Sequence, residues 1–425
     1  MNTMTVRDFE TAENPVRDYA RSRIVPEVNV EEPFNVEEIF FSRTDKRGVI
    51  EAYNSVFVRV AGYSASELKG APHKIIRHSH MPKGVFWLLW NGLENGHSVG
   101  AYVKNKSKEG HYYWVFALVT PVEDGGYLSL RIKPTSPQLK LVEGLYKDIC
   151  KLEQEQNLSP EESAKVIAAR LADLGFPTYG AFQAHALHQE FEARRIAIGH
   201  PQLPDLAQSG TLAVASEKLR RELTNLTAEF QEAEILTANM KIFAAKLAVG
   251  RATINEIAKN YDLMLKDIQN HLKTLAVPPA DRGLWDAPKE LSAYFMICAS
   301  HLMTEMSEFF DTENGHSEGA EWEAEKRVLD QLRRSYDLKS DKAIEFGVKS
   351  AIAIQRRTDF LQRMVLGLST VRIACRVEAG MLRDHAKGLE TIVSRLDQFH
   401  DEIEAHLERI KSYVATILQS VEHPD

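Results

Sequence analysis

The rhythm of apolar and polar positions changes once along the chain. Up to about Thr135, short apolar runs alternate with turn residues. Beyond Leu139, apolar residues recur at helical spacing through long stretches of Leu, Ile, Ala, Glu, Lys and Arg. The first rhythm predicts strands with short helices, and the second a long all-α region. Residues 39–42 and 49–53 read as strands joined by the charged turn from Thr44 to Gly48, a hairpin. Residues 54–61 place Val56, Phe57 and Val60 on one helical face, which Gly62 terminates. Ser64 with Glu67 makes a capping box for a further short helix that Gly70 closes. Residues 85–93 form a third helix with Phe86, Leu89, Trp90 and Leu93 at core-facing spacing. Residues 100–105, 111–121 and 127–132 then alternate as strands, joined by Gly-containing turns. The expected fold class is α+β: a five-stranded antiparallel sheet with short helices across one face, followed by helices. Such a half-open sheet can trap a planar ligand against those helices.

In the helical part, breaks are expected near residues 157–160, 175–180, 199–204, 277–283 and 313–319, with 205–275 and 326–421 the longest stretches. The apolar stripes with charges outside read as a helical bundle or coiled coil. Ile257, Asp262, Ile268, His271 and Leu272 are echoed by Ile392, Asp397, Ile403, His406 and Leu407 at the same spacing, which favours two similar helical hairpins. The chain thus divides into an N-terminal cap segment (1–35), a sheet domain (36–135), connector helices (136–204) and a helical bundle for signalling or docking (205–425).

Composition narrows the function classes. With 52 Lys and Arg against 60 Asp and Glu, the net charge is −8 and no basic patch stands out, which argues against nucleic-acid binding. Cys150, Cys298 and Cys375 are isolated, as in a reducing compartment. Residues 1–23 carry Asp8, Glu10, Glu13 and Asp18 and no apolar core. The richest apolar window, residues 291–303, contains His301 and is too short to span a bilayer. A cytoplasmic protein with no membrane span is expected. No nucleophile–base pair, P-loop, kinase ATP lid or cyclase signature is evident, so the chain is expected not to be an enzyme.

The run from Asn54 to Tyr63, Glu67-Leu68-Lys69-Gly70, Pro72-His73, Arg77-His78 with Met81-Pro82, Trp90 and Val103-Lys104-Asn105 closely resembles the PAS domain of bacterial aerotaxis receptors. Gly110 to Val115 and Pro121-Val122 continue the likeness, which covers roughly residues 36–135. That family holds FAD non-covalently in its PAS domain and reports redox state or oxygen to the motility machinery. The resemblance implies cofactor-binding roles for Asn54, His73, Arg77, His78, Phe86, Trp90 and Asn105. Their chemistry suits an isoalloxazine: Phe86 and Trp90 as flat walls, Asn54 or Asn105 for the pyrimidine edge, Arg77 and His78 for phosphate or for negative charge on the reduced ring. Asn54 is equally able to act as a turn or N-cap residue.

The sequence departs from the family where Ser79-His80 replaces Pro-Asp and where Val99 replaces Trp. His73, His78, His80 and His111 keep a haem-binding PAS domain open as a rival, since haem needs one axial His. His78-x-His80 lacks the further ligands of a metal site. The signature of a receptor hairpin tip is absent, so the likeness to the taxis proteins ends with the sensor. The expected function is a PAS sensor that binds FAD and relays a redox or oxygen signal to its helices. It is expected to be a homodimer with an unidentified signalling protein docking on the helical region. The alternative is a cofactor-free PAS and helical scaffold for protein interaction.

Overall fold

The computed structural model describes residues 26–201, 203–247, 250–273, 283–312, 322–382 and 387–422. Among the described residues two compact units are present, 26–206 with 283–343 and 207–273 with 344–422. The helical stretch expected to be one region from residue 205 is therefore divided. Residues 289–312 and the start of the following helix fold with the sheet.

In the first unit, strands β1 (Phe40–Thr44) and β2 (Ile50–Tyr53) form the expected hairpin. Asp45 fixes its turn by accepting at Oδ1 from the backbone N–H groups of Arg47 (2.8 Å) and Val49 (2.9 Å). Helix α1 (Ser55–Ala61) is capped by Asn54 and ends on Gly62, whose φ of 70° only glycine adopts without strain. Helix α2 (Ala65–Leu68) carries the Ser64–Glu67 capping box. A 3-10 turn, His73–Ile76, and helix α3 (Lys83–Glu94) lead to strands β3 (Val99–Lys106), β4 (Tyr112–Pro121) and β5 (Tyr127–Ile132). All pairings are antiparallel, in the order β2-β1-β5-β4-β3, so β5 is the central strand.

One correction concerns α3. Its buried face is Gly84, Val85, Leu88, Gly92 and Leu93; Phe86, Leu89 and Trp90 are only half-buried. The helix packs against β3 and also against α5 (Pro160–Asp173), and this second partner turns the core-facing stripe by one position. At Gly84 an added Cβ would meet the backbone nitrogen of Ala164 at 2.5 Å, so only glycine allows that approach.

The other face of the sheet is covered by the downstream helices. Helix α4 (Gln138–Gln156) sends the Tyr146 hydroxyl to the Tyr102 carbonyl (3.1 Å), and helix α6 (Tyr179–Ala197) sends the Tyr179 hydroxyl to the Gly100 carbonyl (3.0 Å). After α7 (Pro204–Ala245) and α8 (Arg251–Lys273), helix α9 (Lys289–Thr312) sets Phe310 edge-on to Phe41 at 5.0 Å. The first turns of α10 (Trp322–Leu382) bring the Tyr336 hydroxyl to Thr120 Oγ1 at 2.8 Å. The sheet thus has helices on both faces.

The second unit takes most of α7, all of α8, the later part of α10 and α11 (Lys387–Glu422). Its core repeats at sevens, as in Leu389, Leu396, Ile403, Ile410 and Ile417. The stretch 205–275 is two helices, broken before Gly250, which stands at φ 79°, and 326–421 is likewise two. The breaks expected at 277–283 and 313–319 fall largely outside the described residues. The internal echo holds for packing, with Ile268, Leu272, Ile403 and Leu407 all buried. It fails for chemistry, since His406 is buried against Glu222 (2.6 Å) while His271 is exposed.

Candidate functional site

Side chains alternate across each strand, so Leu128, Leu130 and Ile132 of β5 face one way and Ser129 and Arg131 the other. The second face lies under α1 and the His73 turn. Register sets Arg131 beside Ala117 and Phe40, and Ala117 beside Ala101, a floor of mostly small residues. Arg131 is 2% exposed. Its Nη2 donates to Ser42 Oγ and to His73 Nε2 (2.6 Å), its Nε donates to Ser129 Oγ (3.1 Å), and its Cζ lies 4.8 Å from the centre of the Phe57 ring. Arg131 Nη1 and the Tyr113 hydroxyl are buried and meet no hydrogen-bond partner among the described residues. Phe40 stacks on Tyr113 at 5.8 Å, and His73 stacks on Phe57 at 5.8 Å.

Burial sets the charges here. It lowers the Arg131 guanidinium to about 10, raises the Tyr113 phenol, and with the neighbouring Arg131 charge holds His73 well below its ordinary value. His73 is therefore neutral and accepts at Nε2 from the guanidinium.

A second group lies along β3. Arg77 bridges Asn105 through the backbone and lays its guanidinium 3.7 Å from the centre of the Phe86 ring. Asn105 is buried opposite Tyr113. His78 is buried, accepts at Nδ1 from the His80 backbone N–H (3.0 Å), and stands 3.5 Å from the Glu27 carboxylate. Burial lowers its imidazole to about 4, and Glu27 opposes that shift. Glu27 also accepts from the Ser79 backbone N–H (2.9 Å), so a carboxylate from the N-terminal segment sits beside a loop that carries none of its own. Burial works against the Glu27 charge, yet the Ser79 bonds and the charges of His78 and Lys106 outweigh it and lower its pKa.

The remaining predicted positions spread out. Asn54 is fully buried and bonds to backbone: Oδ1 accepts from Phe41 N–H (3.0 Å) and Phe57 N–H (3.2 Å), and Nδ2 donates to the Ile39 carbonyl (2.7 Å). Trp90 packs edge-on to Tyr127 at 5.4 Å, at the end of the sheet near Gly48. Val99 sits over Gly92, His80 is exposed, and His111 pairs with Glu32 (2.9 Å). Among the described residues, no three His, Cys, Asp or Glu side chains converge as a metal site requires.

The family model for the PAS fold matches residues 50–130. These residues form a PAS domain. Over 119 residues the chain is 40% identical to the aerotaxis receptor of Escherichia coli, which covers 27% of this chain and 24% of that protein. The chain thus spans about a quarter of the length of that relative. Among solved structures it is similar to a PAS domain from Colwellia psychrerythraea, at 20% identity, covering 23% of this chain and 86% of that one with a TM-score of 0.22. It is also similar to the LOV domain of a blue-light-activated histidine kinase from Erythrobacter litoralis, at 19% identity, covering 22% and 90% with a TM-score of 0.20.

The exit from the PAS domain is held by a residue that sequence reasoning missed. Glu190 of α6, fully buried, accepts from the Tyr102 hydroxyl (2.7 Å), Thr135 N–H (2.6 Å), Ser136 N–H (2.9 Å) and Ser136 Oγ (2.6 Å). One carboxylate thereby ties β3, the segment after β5 and α6 together. Arg131 was missed as well. Its signal is an Arg inside the strand pattern Leu-Ser-Leu-Arg-Ile, which becomes informative once β5 is known to be central. Among the described residues no helix is long and apolar enough to cross a membrane.

Proposed function

We propose that this chain is a PAS sensor that binds FAD non-covalently and passes a redox or oxygen signal to its helices without catalysing a reaction. The observation that carries the reading is that two buried polar atoms, Arg131 Nη1 and Tyr113 Oη, meet no hydrogen-bond partner among the described residues on the sheet face under α1 and the His73 turn. A cofactor with an acceptor-rich edge would satisfy both, because buried donors left unpaired are costly. Phe40 and Phe57 supply flat apolar surface on the same face. Ser42, Ala101, Ala117 and Ser129 leave the floor low enough for a planar ring system. Arg77, held against Phe86, suits a phosphate group. Bound flavin would supply reversible electron uptake. The likeness to the aerotaxis receptor supports the same reading.

The PAS domain has a physical route to its helices. Glu190, Tyr146 and Tyr179 all bond to β3 or to the domain exit, so a shift of β3 moves α4 and α6 with it. An exposed helix face would then dock a signalling protein, and pairing of helices across two copies would give a homodimer. The test is to purify the full chain, release any cofactor with acid and identify it by chromatography. FAD supports the proposal. Haem, or a colourless chain that takes up no added FAD, rejects it, and the last result favours the scaffold reading.

A further inference from the structure

We propose that the outer face of α10 between Phe360 and Met381 is the surface on which two copies of this chain associate, with these helices antiparallel. This deepens the homodimer part of the reading above and does not depend on the cofactor. In the second unit α10 turns Leu361, Val365, Leu368, Cys375 and Ala379 into its own core. At about 100° per residue, Leu366, Thr370, Ile373, Val377 and Met381 fall on the opposite face. There Leu366 is 66% exposed, Ile373 54%, Val377 52% and Met381 72%. Arg372, Arg376 and Glu378, the charged residues between Leu366 and Met381, all lie off this stripe. A helix that only shields its own bundle presents charged and polar residues on that side, whereas a contiguous exposed apolar stripe marks a contact surface.

The charges beside the stripe point to a second copy as its occupant. On one flank, Arg376 is already taken by Asp397 of the same chain (2.5 Å). On the other flank stand Arg363 near one end and Glu378 near the other, and neither forms an ion pair among the described residues. A second copy packed antiparallel about the point midway between them, at Thr370 and Val371, sets each Arg363 beside the partner's Glu378, twice by symmetry. A parallel pair would set like charges side by side. The antiparallel register also seats Leu366 between the partner's Ile373 and the partner's Val377, and sets Met381 against the partner's Phe360. Phe360 is 38% exposed, so it has surface left to bury. One register thus satisfies charges and apolar side chains together, as a self-complementary two-fold interface requires. A helix face about 30 Å long buries less than the roughly 800 Å² per partner of a standard interface, which sets the association in the micromolar range.

The experiment is sedimentation velocity of the full chain between about 1 and about 100 μM, which reads the dimer dissociation constant, with folding checked by circular dichroism and thermal melting. I373E/V377E, at exposed positions, should raise that constant at least about a hundredfold. R363E and E378R should each raise it about tenfold, and the double variant R363E/E378R, which restores opposite charges, should return to within about threefold of wild type. I235E/I242E, at similarly exposed apolar positions on α7 (60% and 56%), should leave it unchanged. A wild-type chain that stays monomeric at about 100 μM overturns the homodimer reading and this face together. A dimer that survives I373E/V377E keeps the homodimer reading and overturns the face, and equal loss in I235E/I242E overturns it as unspecific association. If I373E/V377E does not fold, the charge pair decides: no recovery in R363E/E378R overturns the proposal. The flavin reading is judged by the acid extract, so its failure is distinguishable from failure here.

Discussion

Replacing Glu190 separates what a carboxylate does at the domain exit from what any acceptor would do. In E190A, the Ser136 N–H, the Ser136 hydroxyl and the Tyr102 hydroxyl lose their acceptor in a buried setting, while the exposed Thr135 can turn its N–H to water. Leaving a buried donor unpaired costs about 1–3 kcal/mol, so the three together cost about 3–9 kcal/mol. In E190Q, the amide oxygen can keep the two backbone N–H groups. The amide nitrogen then faces the Tyr102 and Ser136 hydroxyls, which rotate to accept. Charge assistance and the acceptor for the two hydroxyl hydrogens are lost, but each hydroxyl oxygen keeps one bond, so the cost is about 1–2 kcal/mol. All five Trp residues, at positions 87, 90, 114, 285 and 322, lie in the first compact unit, so Trp fluorescence during urea unfolding follows that unit. E190A should shift the Trp transition to markedly lower urea, and E190Q only slightly. Equal loss in both variants, or none in either, refutes the role assigned to the carboxylate.

Other outcomes follow from the same geometry. His78 and His188, the latter on α6 with its Nε2 2.8 Å from the Tyr294 hydroxyl of α9, are held at about 4 and His73 well below its ordinary value, each chiefly by burial. The unfolded chain therefore binds more protons than the folded one between about pH 6.5 and 4. Stability of the first unit is fully present above about pH 6.5 and falls toward pH 4, by up to ~1.4 kcal/mol per pH unit per imidazole; a flat urea midpoint across that window contradicts the assignment. E27Q removes the carboxylate that opposes the downward shift of His78, so NMR titration should find that imidazole lower still, and an unchanged value places Glu27 elsewhere in solution. W90A should cost about 2 kcal/mol, less than full Trp burial implies, because the ring is half-buried. R77A should cost about 1 kcal/mol through its Phe86 contact yet lose more cofactor; equal melting and equal FAD retention in the two variants contradict these separate roles.

Local signals made most of the sheet domain legible. The Asp45 turn, the Asn54 cap, the Ser64–Glu67 box and Gly62 depend on neighbours a few residues away, and each appears where the sequence places it. The phase of α3 was misread because helical spacing gives a stripe but not the number of its partners, and α5 covers a second side. Arg131 and Glu190 escaped notice because their meaning depends on distant pairing: β5 is central only once β1 and β4 flank it, and Glu190 meets Ser136 across 54 residues. The same holds for Phe310 and Tyr336, whose helices join the first unit after the chain has contributed to the second. Among the residues implied by resemblance, Arg77, Phe86, His78 and Asn105 gather along β3, Asn54 and His73 lie with α1, and Trp90 stands apart at Tyr127.

The most direct test of cofactor sensing is the absorption spectrum of the purified full chain, oxidised and then reduced. A flavin spectrum that bleaches on reduction, with FAD in the acid extract, is the predicted result. A haem Soret band, or a colourless chain that stays so after incubation with FAD, would contradict it.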